Sequence, residues 1–300
     1  MVTDKYSKVY VIITGDVDYS DHHRHSDKLM IFDKIINAAK ESGIRLSFNF
    51  TAKEAIKIES CVKLLAESGH EIGCHGLIHS DDEEYNRLTY EQQFQYISEA
   101  TKILAKITKR EVSTFRAPRV KVSSYMYQCL DKLGYLTDSS ICSQRMDLIS
   151  SNMFNKDWLF APRLPYHPNP LNPFKKGKRN LLIVPISALC VPFISSVLYV
   201  FGLTFMKILF SIFYLESLLT GKPIVYLYHP YEFIPEIKGK KKYDPNLKVH
   251  GPRWRRHLYR GTPQDKFKKH IKFWKYMKKF KAVEIITMKQ FYYLNKEKGA

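Results

Sequence analysis

The 300-residue chain has few cysteines, and their spacing fits neither a disulfide framework nor a structural zinc site. The five are Cys61, Cys74, Cys129, Cys142 and Cys190. An odd number without paired spacing predicts reduced thiols, and we expect all five to be small buried residues. The N-terminus also lacks a charged start followed by an apolar core and a small-residue cleavage site. We therefore expect no signal peptide and a cytoplasmic location.

The chain also lacks internal repeats and any linker rich in Gly, Ser or Pro. Its hydrophobic content of 45% is enough to build a sizeable core. We therefore predict one domain spanning residues 1–300.

Acidic residues are outnumbered: 29 stand against 48 basic residues, which gives a net charge of +19. Much of the excess lies late in the chain, at 173–179, 238–242, 253–257 and 266–281. Such a surface suits an anionic membrane, a phosphorylated small molecule or nucleic acid, although solvated lysine-rich helix faces explain it equally well. Because no nucleic-acid-binding motif accompanies the charge, no nucleic acid partner is expected.

Val- and Ile-rich strands alternate with amphipathic helices along most of the chain. The run "KVYVIITGDVD" predicts the first strand, and "SDKLMIFDKIINAAKESGI" predicts the helix that follows it. This alternation predicts an α/β fold with a parallel sheet and right-handed crossovers. Polar residues recur where the predicted strands end, where the active sites of parallel α/β barrels lie. These residues are Asp16, Asp18, His75, Arg116, Asp138 and His229.

The stretch "HGLIH" places His75 and His79 four residues apart, so a helix or a tight turn would put both imidazoles on one side. Two histidines and one carboxylate form a common site for a divalent metal. The residues alone leave open whether Asp16 or Asp18 supplies that carboxylate. One ligand and one free base is the more useful division between them.

Three further histidines, at positions 22, 23 and 25, directly follow the acidic pair. They could form a second metal site or contact a substrate. A solvated loop is the favoured interpretation.

Five short motifs, taken in order, resemble the polysaccharide deacetylase family with its NodB homology domain, also known as carbohydrate esterase family 4. The motifs are "TGDVD", "HGLIH", "FRAPR", "TDSS" and "YLYH", and the resemblance covers residues 8–290. The spacing Asp-x-Asp and the sequence "HPYE" resemble the branch of the family in which one residue separates the two aspartates of the first motif. The resemblance implies a distorted (β/α) barrel of about seven parallel strands.

The resemblance also implies a division of roles among the acidic and basic residues. Asp18, His75 and His79 would bind a divalent metal, most often Zn²⁺, with Co²⁺, Ni²⁺ or Mn²⁺ as alternatives. Asp16 would stay off the metal and act as the general base that takes a proton from water. Arg116 would pair with Asp16 and keep it ionised.

Further roles follow from the resemblance for the later motifs. His229 would be the general acid that protonates the leaving amine, and Asp138 would orient it and raise its pKa. Pro118 would shape a turn that brings the backbone N–H of Arg119 near the developing oxyanion. Leu227 would line the pocket that holds an acetyl methyl group.

Three positions bear on the substrate. Glu232, in "HPYEF", either contacts the substrate or braces the loop after His229. Arg119 stands where many family members carry an aromatic residue, and Ser139 and Ser140 replace the tryptophan of many extracellular members. These departures argue against a polymeric cell-wall substrate.

An apolar stretch at 181–206 carries no charge over 26 residues. A single membrane crossing would separate His75 from His229, and the stretch is too short for two crossings of about 20 residues each. We therefore predict a core strand at "LLIVPIS" and an apolar helical segment within 188–215. Exposed, this segment would face an anionic membrane surface.

These features together predict a cytoplasmic, metal-dependent hydrolase that removes an N-acetyl or N-formyl group from an amino sugar. A membrane-facing segment favours a lipid-linked sugar or another glycan precursor. A nucleotide-linked or free amino sugar is the competing substrate, and a non-catalytic glycan- or lipid-binding protein is the competing function. The sequence leaves the oligomeric state open.

Overall fold

A parallel sheet surrounded by helices forms the frame of the molecule. The computed structural model describes residues 8–146, 156–237 and 261–299. Ten strands are present in these residues: β1 (Val9–Val17), β2 (Ser47–Phe50), β3 (Glu71–Cys74), β4 (Thr114–Phe115), β5 (Thr137–Asp138), β6 (Leu182–Ile183), β7 (Ala188–Leu189), β8 (Val191–Pro192), β9 (Ile224–Tyr228) and β10 (Val283–Ile285).

Helices follow most strands and cover the outer side of the sheet. They are α1 (His25–Glu41), α2 (Ala52–Lys57), α3 (Glu59–Glu67), α4 (Tyr90–Thr108), α5 (Ser124–Lys132), α6 (Lys156–Phe160), α7 (Ser195–Thr220), α8 (Pro263–Met277) and α9 (Met288–Gly299). Local chemistry sets their starts. The Thr89 hydroxyl, for example, accepts from the Gln92 N–H while the Gln92 amide caps Thr89, which fixes the first turn of α4.

Strand β1 is the centre of the sheet. The strands run in the order β10-β1-β2-β3-β4-β5-β6, and β9 also pairs with β1. All pairings in this sheet are parallel. The predicted fold class, an α/β fold built on about seven parallel strands, is thereby confirmed. The carboxyl ends of these strands share one edge, where the functional side chains collect.

Between β6 and β9, residues on either side of β7 and β8 bond to β9 without forming a regular strand of this sheet. The Ser187 N–H donates to the Val225 carbonyl, and the Val225 N–H donates to the Ser187 hydroxyl. Further along, the Leu227 N–H donates to the Phe193 carbonyl. The predicted strand "LLIVPIS" is fully buried but pairs as β6 only at Leu182–Ile183.

The apolar segment predicted for 188–215 divides into two elements. An antiparallel hairpin of β7 and β8 comes first, and helix α7 then extends past the predicted end to Thr220. The hairpin turns at Cys190, which is exposed with a φ of 59°. The expectation that all five cysteines are buried is wrong at this position, because a one-residue turn lifts it out of the core.

Candidate active site

The end of strand β1 delivers its polar side chains to the inner face of the sheet. Asp16 stands beside Asn49 of β2, and Thr14 stands beside Leu227 of β9. Since alternate side chains of a strand point to one face, Thr14 and Asp16 project together. Arg116 confirms this placement, because its Nη1 donates to both, at 2.9 Å to each oxygen.

The Asp16 carboxylate is held by one of its two oxygens. Arg116 Nη1 and Asn49 Nδ2 each donate to Oδ1 at 2.9 Å. Within the described residues, Oδ2 has no hydrogen-bond partner, although Asp16 is only 4% exposed. Oδ2 is therefore the oxygen left to accept a proton at the mouth of the sheet.

The charge of Asp16 is stabilised by its neighbours. Burial on its own would raise the pKa of this carboxyl, but Arg116, His75 and His229 outweigh burial and lower the pKa. Asp16 is thus ionised at neutral pH. Arg116 is itself fully buried, and its remaining N–H groups donate to the backbone carbonyl and the hydroxyl of Ser139.

Asp18, His75 and His79 bring one ligand atom each to a common point. These three atoms lie within 4.8 Å of one another. The Asp18 Oδ1 atom is 3.2 Å from Nε2 of His75 and 3.9 Å from Nε2 of His79. Nearby imidazoles lower the pKa of Asp18 despite its burial. In the described ranges this is the one cluster of such residues with metal-binding geometry.

The tautomer of His75 tests whether a cation fits this cluster. Its Nδ1–H donates to the carbonyl of Arg116 at 2.8 Å, so the neutral ring carries a lone pair on Nε2. That lone pair faces the buried Asp18 Oδ1, which has no hydrogen-bond partner. Two lone pairs at 3.2 Å repel unless a positive charge lies between them. A divalent metal fits, and the carbonyl of Arg116 is the partner that orients the ring.

The loop "HGLIH" is shaped by a residue that sequence reasoning missed. The buried Glu83 carboxylate accepts the backbone N–H groups of Leu77, Ile78 and His79 at 2.5–2.7 Å. His79 is thereby held in a left-handed conformation with a φ of 64°. At Gly76, with a φ of 79°, an added Cβ would come within 2.5 Å of the same carboxylate. The two histidines are therefore joined by a tight turn, one of the two predicted alternatives.

The turn at Pro118–Val120 brings a backbone donor to the edge of the histidine cluster. Arg119 has a φ of 55°, and its backbone N–H donates to Nε2 of His79 at 3.2 Å. Its guanidinium binds Glu84 at 2.8 Å, so the side chain is largely committed to the protein. Arg119 is predicted to contact the substrate, and its backbone N–H is the group that faces the site.

Asp138 does not contact His229, so the predicted pairing is wrong. Oδ2 of Asp138 accepts from the Tyr127 hydroxyl and the Ser140 N–H, and Oδ1 accepts from the Ser140 hydroxyl. Ser140 in turn accepts the Ala117 N–H at 2.8 Å. Asp138 therefore braces the turn that carries the Arg119 N–H. Burial raises its pKa to about 6, although these hydrogen bonds oppose the shift.

The acidic partner of His229 is Glu232. The His229 Nδ1 atom lies 3.8 Å from Glu232 Oε1, and the imidazole is 40% exposed at the mouth. Glu232 Oε2 accepts from the Tyr199 hydroxyl at 3.0 Å. Of the two roles considered for Glu232, its contacts within the described residues fit bracing. Leu227 is buried at the end of β9, on the face that carries Thr14.

Comparison with known proteins agrees with this geometry. The family model for polysaccharide deacetylases matches residues 7–137, which contain the first three motifs. These residues are similar to the polysaccharide deacetylase family. No curated protein sequence matches the chain.

Structural neighbours of the chain share its fold over nearly its whole length. A protein from Mycobacterium smegmatis assigned to the polysaccharide deacetylases has a TM-score of 0.65 and 13% identity, covering 99% of this chain and 94% of its own. A probable polysaccharide deacetylase from Pseudomonas aeruginosa PAO1 has a TM-score of 0.61 and 13% identity, covering 96% and 91%. Puue allantoinase has a TM-score of 0.59 and 14% identity, covering 96% and 90%. Identities this low support the fold alone.

The remaining predicted residues lie around this candidate site without joining the cluster. His23 is buried, with Nδ1 2.9 Å from the Ser20 hydroxyl, and its ring packs on Tyr231. His22 and His25 are more exposed, and none of the three is in a metal cluster within the described ranges. The basic runs 238–242 and 253–257 lie outside the described residues.

Proposed function

We propose that the chain is a metal-dependent hydrolase that removes an N-acetyl or N-formyl group from an amino sugar. The observation that carries this proposal is the separation of the two aspartates. Asp18 faces two imidazoles with an unpaired oxygen, whereas Asp16 is locked by Arg116 with Oδ2 left open. One carboxylate suits a metal ligand and the other suits a base.

The ligand set defines the class of ion. Asp18, His75 and His79 would hold it, and two imidazoles with one carboxylate suit Zn²⁺, with Co²⁺, Ni²⁺ or Mn²⁺ as alternatives. Such an ion supplies Lewis acidity to an acyl carbonyl and lowers the pKa of water to about 7.

The protein's own groups divide the proton transfers. Asp16 is placed to accept a proton from the attacking water on Oδ2, while Arg116 and Asn49 keep Oδ1 fixed. The Arg119 N–H donates to Nε2 of His79 in this structure; with that nitrogen bound to an ion, the N–H would be free to donate to the oxyanion of the tetrahedral intermediate. His229, exposed at the mouth and oriented by Glu232, is placed to protonate the leaving amine.

The proposed substrate is an amino sugar in a lipid-linked or other glycan precursor, handled at the cytoplasmic face of a membrane. Support comes from helix α7, which starts beside the mouth, because Ile194 forms a parallel bridge with Leu227 of β9. A nucleotide-linked or free amino sugar is the competing substrate. A non-catalytic glycan- or lipid-binding protein is the competing function.

The test is acyl release by the metal-loaded chain from lipid-linked, nucleotide-linked and free N-acetyl and N-formyl amino sugars. Asp16→Asn should keep the metal and lose about 100- to 10,000-fold in kcat, because a general base contributes that much. Asp21→Asn is the matched control, since this exposed carboxylate lies in the same loop and pairs with Lys57. Its activity should be unchanged. Absence of acyl release from every sugar by the wild-type protein would contradict the proposed function.

A further inference from the structure

Helix α7 exposes a row of large apolar side chains to solvent. Ile208, Leu215 and Leu219 are 57%, 60% and 60% exposed. Members of the row recur mostly at intervals of three or four residues, so they lie along one side of the helix. We call this row the apolar stripe, and it consists of Ile208, Ile212, Leu215 and Leu219, all of which follow the break in α7 at Gly202, where φ is 83°.

The opposite side of α7 is part of the protein core. Met206, Phe210 and Phe213 are almost fully buried, and Phe210 packs on Phe273 of α8. α7 is the one helix in the described ranges that is long and apolar enough to cross a membrane. Crossing would strip this buried face from the sheet and from α8. The stripe is therefore suited to contact a surface while the helix stays packed on the protein.

A row of lysines borders the apolar stripe. Tyr276 of α8 contacts α7, where the Lys207 ammonium lies 4.9 Å from its ring centroid. Lys272 stands four residues before Tyr276 and shares its side of α8, and Lys279 follows Tyr276 by three residues in the turn just beyond the helix end at Met277. With Lys268 and Lys275 they are exposed, and we call these four residues the lysine row.

Acidic groups are nearly absent from these two helices. α7 contains Glu216, which binds Arg163 at 2.7 Å and Lys222 at 3.2 Å. α8 contains Asp265, whose carboxylate caps Thr262. Asp265 attracts Lys268 at one end of the lysine row, but within the described residues of the two helices no carboxylate pairs with Lys272 or Lys275.

We propose that the apolar stripe docks into the interfacial region of a membrane that carries anionic lipids, with the lysine row on their headgroups. A helix with one apolar face and neighbouring lysines is the usual form of such a contact. A second copy of the chain fits less well, because its α7 and α8 offer no free carboxylate to meet the lysines. Docking is independent of the proposed activity.

The test is flotation of the full chain with vesicles of phosphatidylcholine alone or mixed with phosphatidylglycerol. We expect binding to the mixed vesicles. The double variant Ile208→Asn, Leu215→Asn should bind about 100-fold more weakly, because each side chain loses about a factor of ten in partitioning. Leu64→Asn on α3, where Leu64 is 41% exposed, is the matched control and should bind normally.

The second part of the flotation experiment neutralises the lysine row. The triple variant Lys268→Gln, Lys272→Gln, Lys279→Gln should lose about 100-fold on mixed vesicles, since each surface lysine contributes about 1 kcal/mol there. Thermal unfolding by circular dichroism should show all variants folded. The proposal is overturned if the wild type ignores mixed vesicles, or if the stripe variants bind like the wild type. It is also overturned if the wild type is a dimer that the stripe variants convert to monomer.

Discussion

The Glu83 carboxylate is the group whose removal should disturb the metal site most selectively without touching a proposed ligand. It is 1% exposed and accepts three backbone N–H groups together with the Tyr85 hydroxyl. These bonds hold His79 at a φ of 64°, which a non-glycine residue adopts only when its surroundings enforce it. The perturbation is Glu83→Gln, which keeps the shape and removes the charge.

The free-energy cost of Glu83→Gln follows from the number of hydrogen-bond acceptors that the new side chain offers. A glutamine amide offers one oxygen, so it can serve Ile78 and His79 while its NH₂ group faces the Leu77 N–H. One buried N–H left unpaired costs about 1–3 kcal/mol, and replacing charged by neutral hydrogen bonds adds about 1 kcal/mol. The loop should therefore lose about 3 kcal/mol of support. Because 1.4 kcal/mol is tenfold in affinity, metal binding should weaken by about 100-fold.

The assay is metal affinity by competition with a chromophoric chelator, together with urea unfolding. Asp82→Asn is the matched control, because Asp82 is exposed and directly precedes Glu83. Its metal affinity should equal that of the wild type. Wild-type metal affinity in Glu83→Gln would refute the reasoning that this carboxylate shapes the histidine loop.

Two further predictions concern the buried groups behind the mouth. Tyr199→Phe removes the hydroxyl that donates to Glu232, so kcat should fall several-fold with KM unchanged in steady-state kinetics, and an unchanged kcat would contradict this. Burial lowers the pKa of His270 to about 3, so the unfolded chain takes up a proton below about pH 6.5 that the folded chain cannot. The free energy of unfolding measured in urea should therefore fall by about 2 kcal/mol between about pH 7 and about pH 5. His270→Gln should remove that part of the dependence of stability on pH. An equal dependence in the variant would contradict this.

Much of the fold follows from local pattern. The alternation of apolar strands and amphipathic helices predicts the parallel sheet, because each such strand needs cover on both faces. The long first strand and its acidic end are visible in "VYVIITGDVD". The β7–β8 hairpin was not predicted, since a short apolar run gives no period that separates a hairpin from a helix.

The candidate site was predicted where one motif supplies both the residue and its spacing. Asp18, His75 and His79 meet as expected, and Arg116 pairs with Asp16. Supporting residues were missed because their partners lie on other elements. Asn49 reads as an ordinary strand residue, and the run "DDEE" that contains Glu83 reads as a solvated loop.

The wrong partner for His229 has the same origin. Asp138 and His229 both end strands, so both reach the mouth, but Ser140 and Tyr127 already occupy the Asp138 carboxylate. Glu232 reaches His229 from three residues along the same turn. Side-chain competition of this kind depends on three-dimensional contacts that spacing does not contain.

The division of labour between the two aspartates is tested most directly by measuring bound metal and acyl release in the same two variants. Asp16→Asn should retain metal at the wild-type ratio and release the acyl group about 100- to 10,000-fold more slowly, because it keeps the ligand cluster and loses the base. Asp18→Asn should lose the metal. Loss of metal from Asp16→Asn with retention in Asp18→Asn, or acyl release by Asp16→Asn at the wild-type rate, would contradict the account.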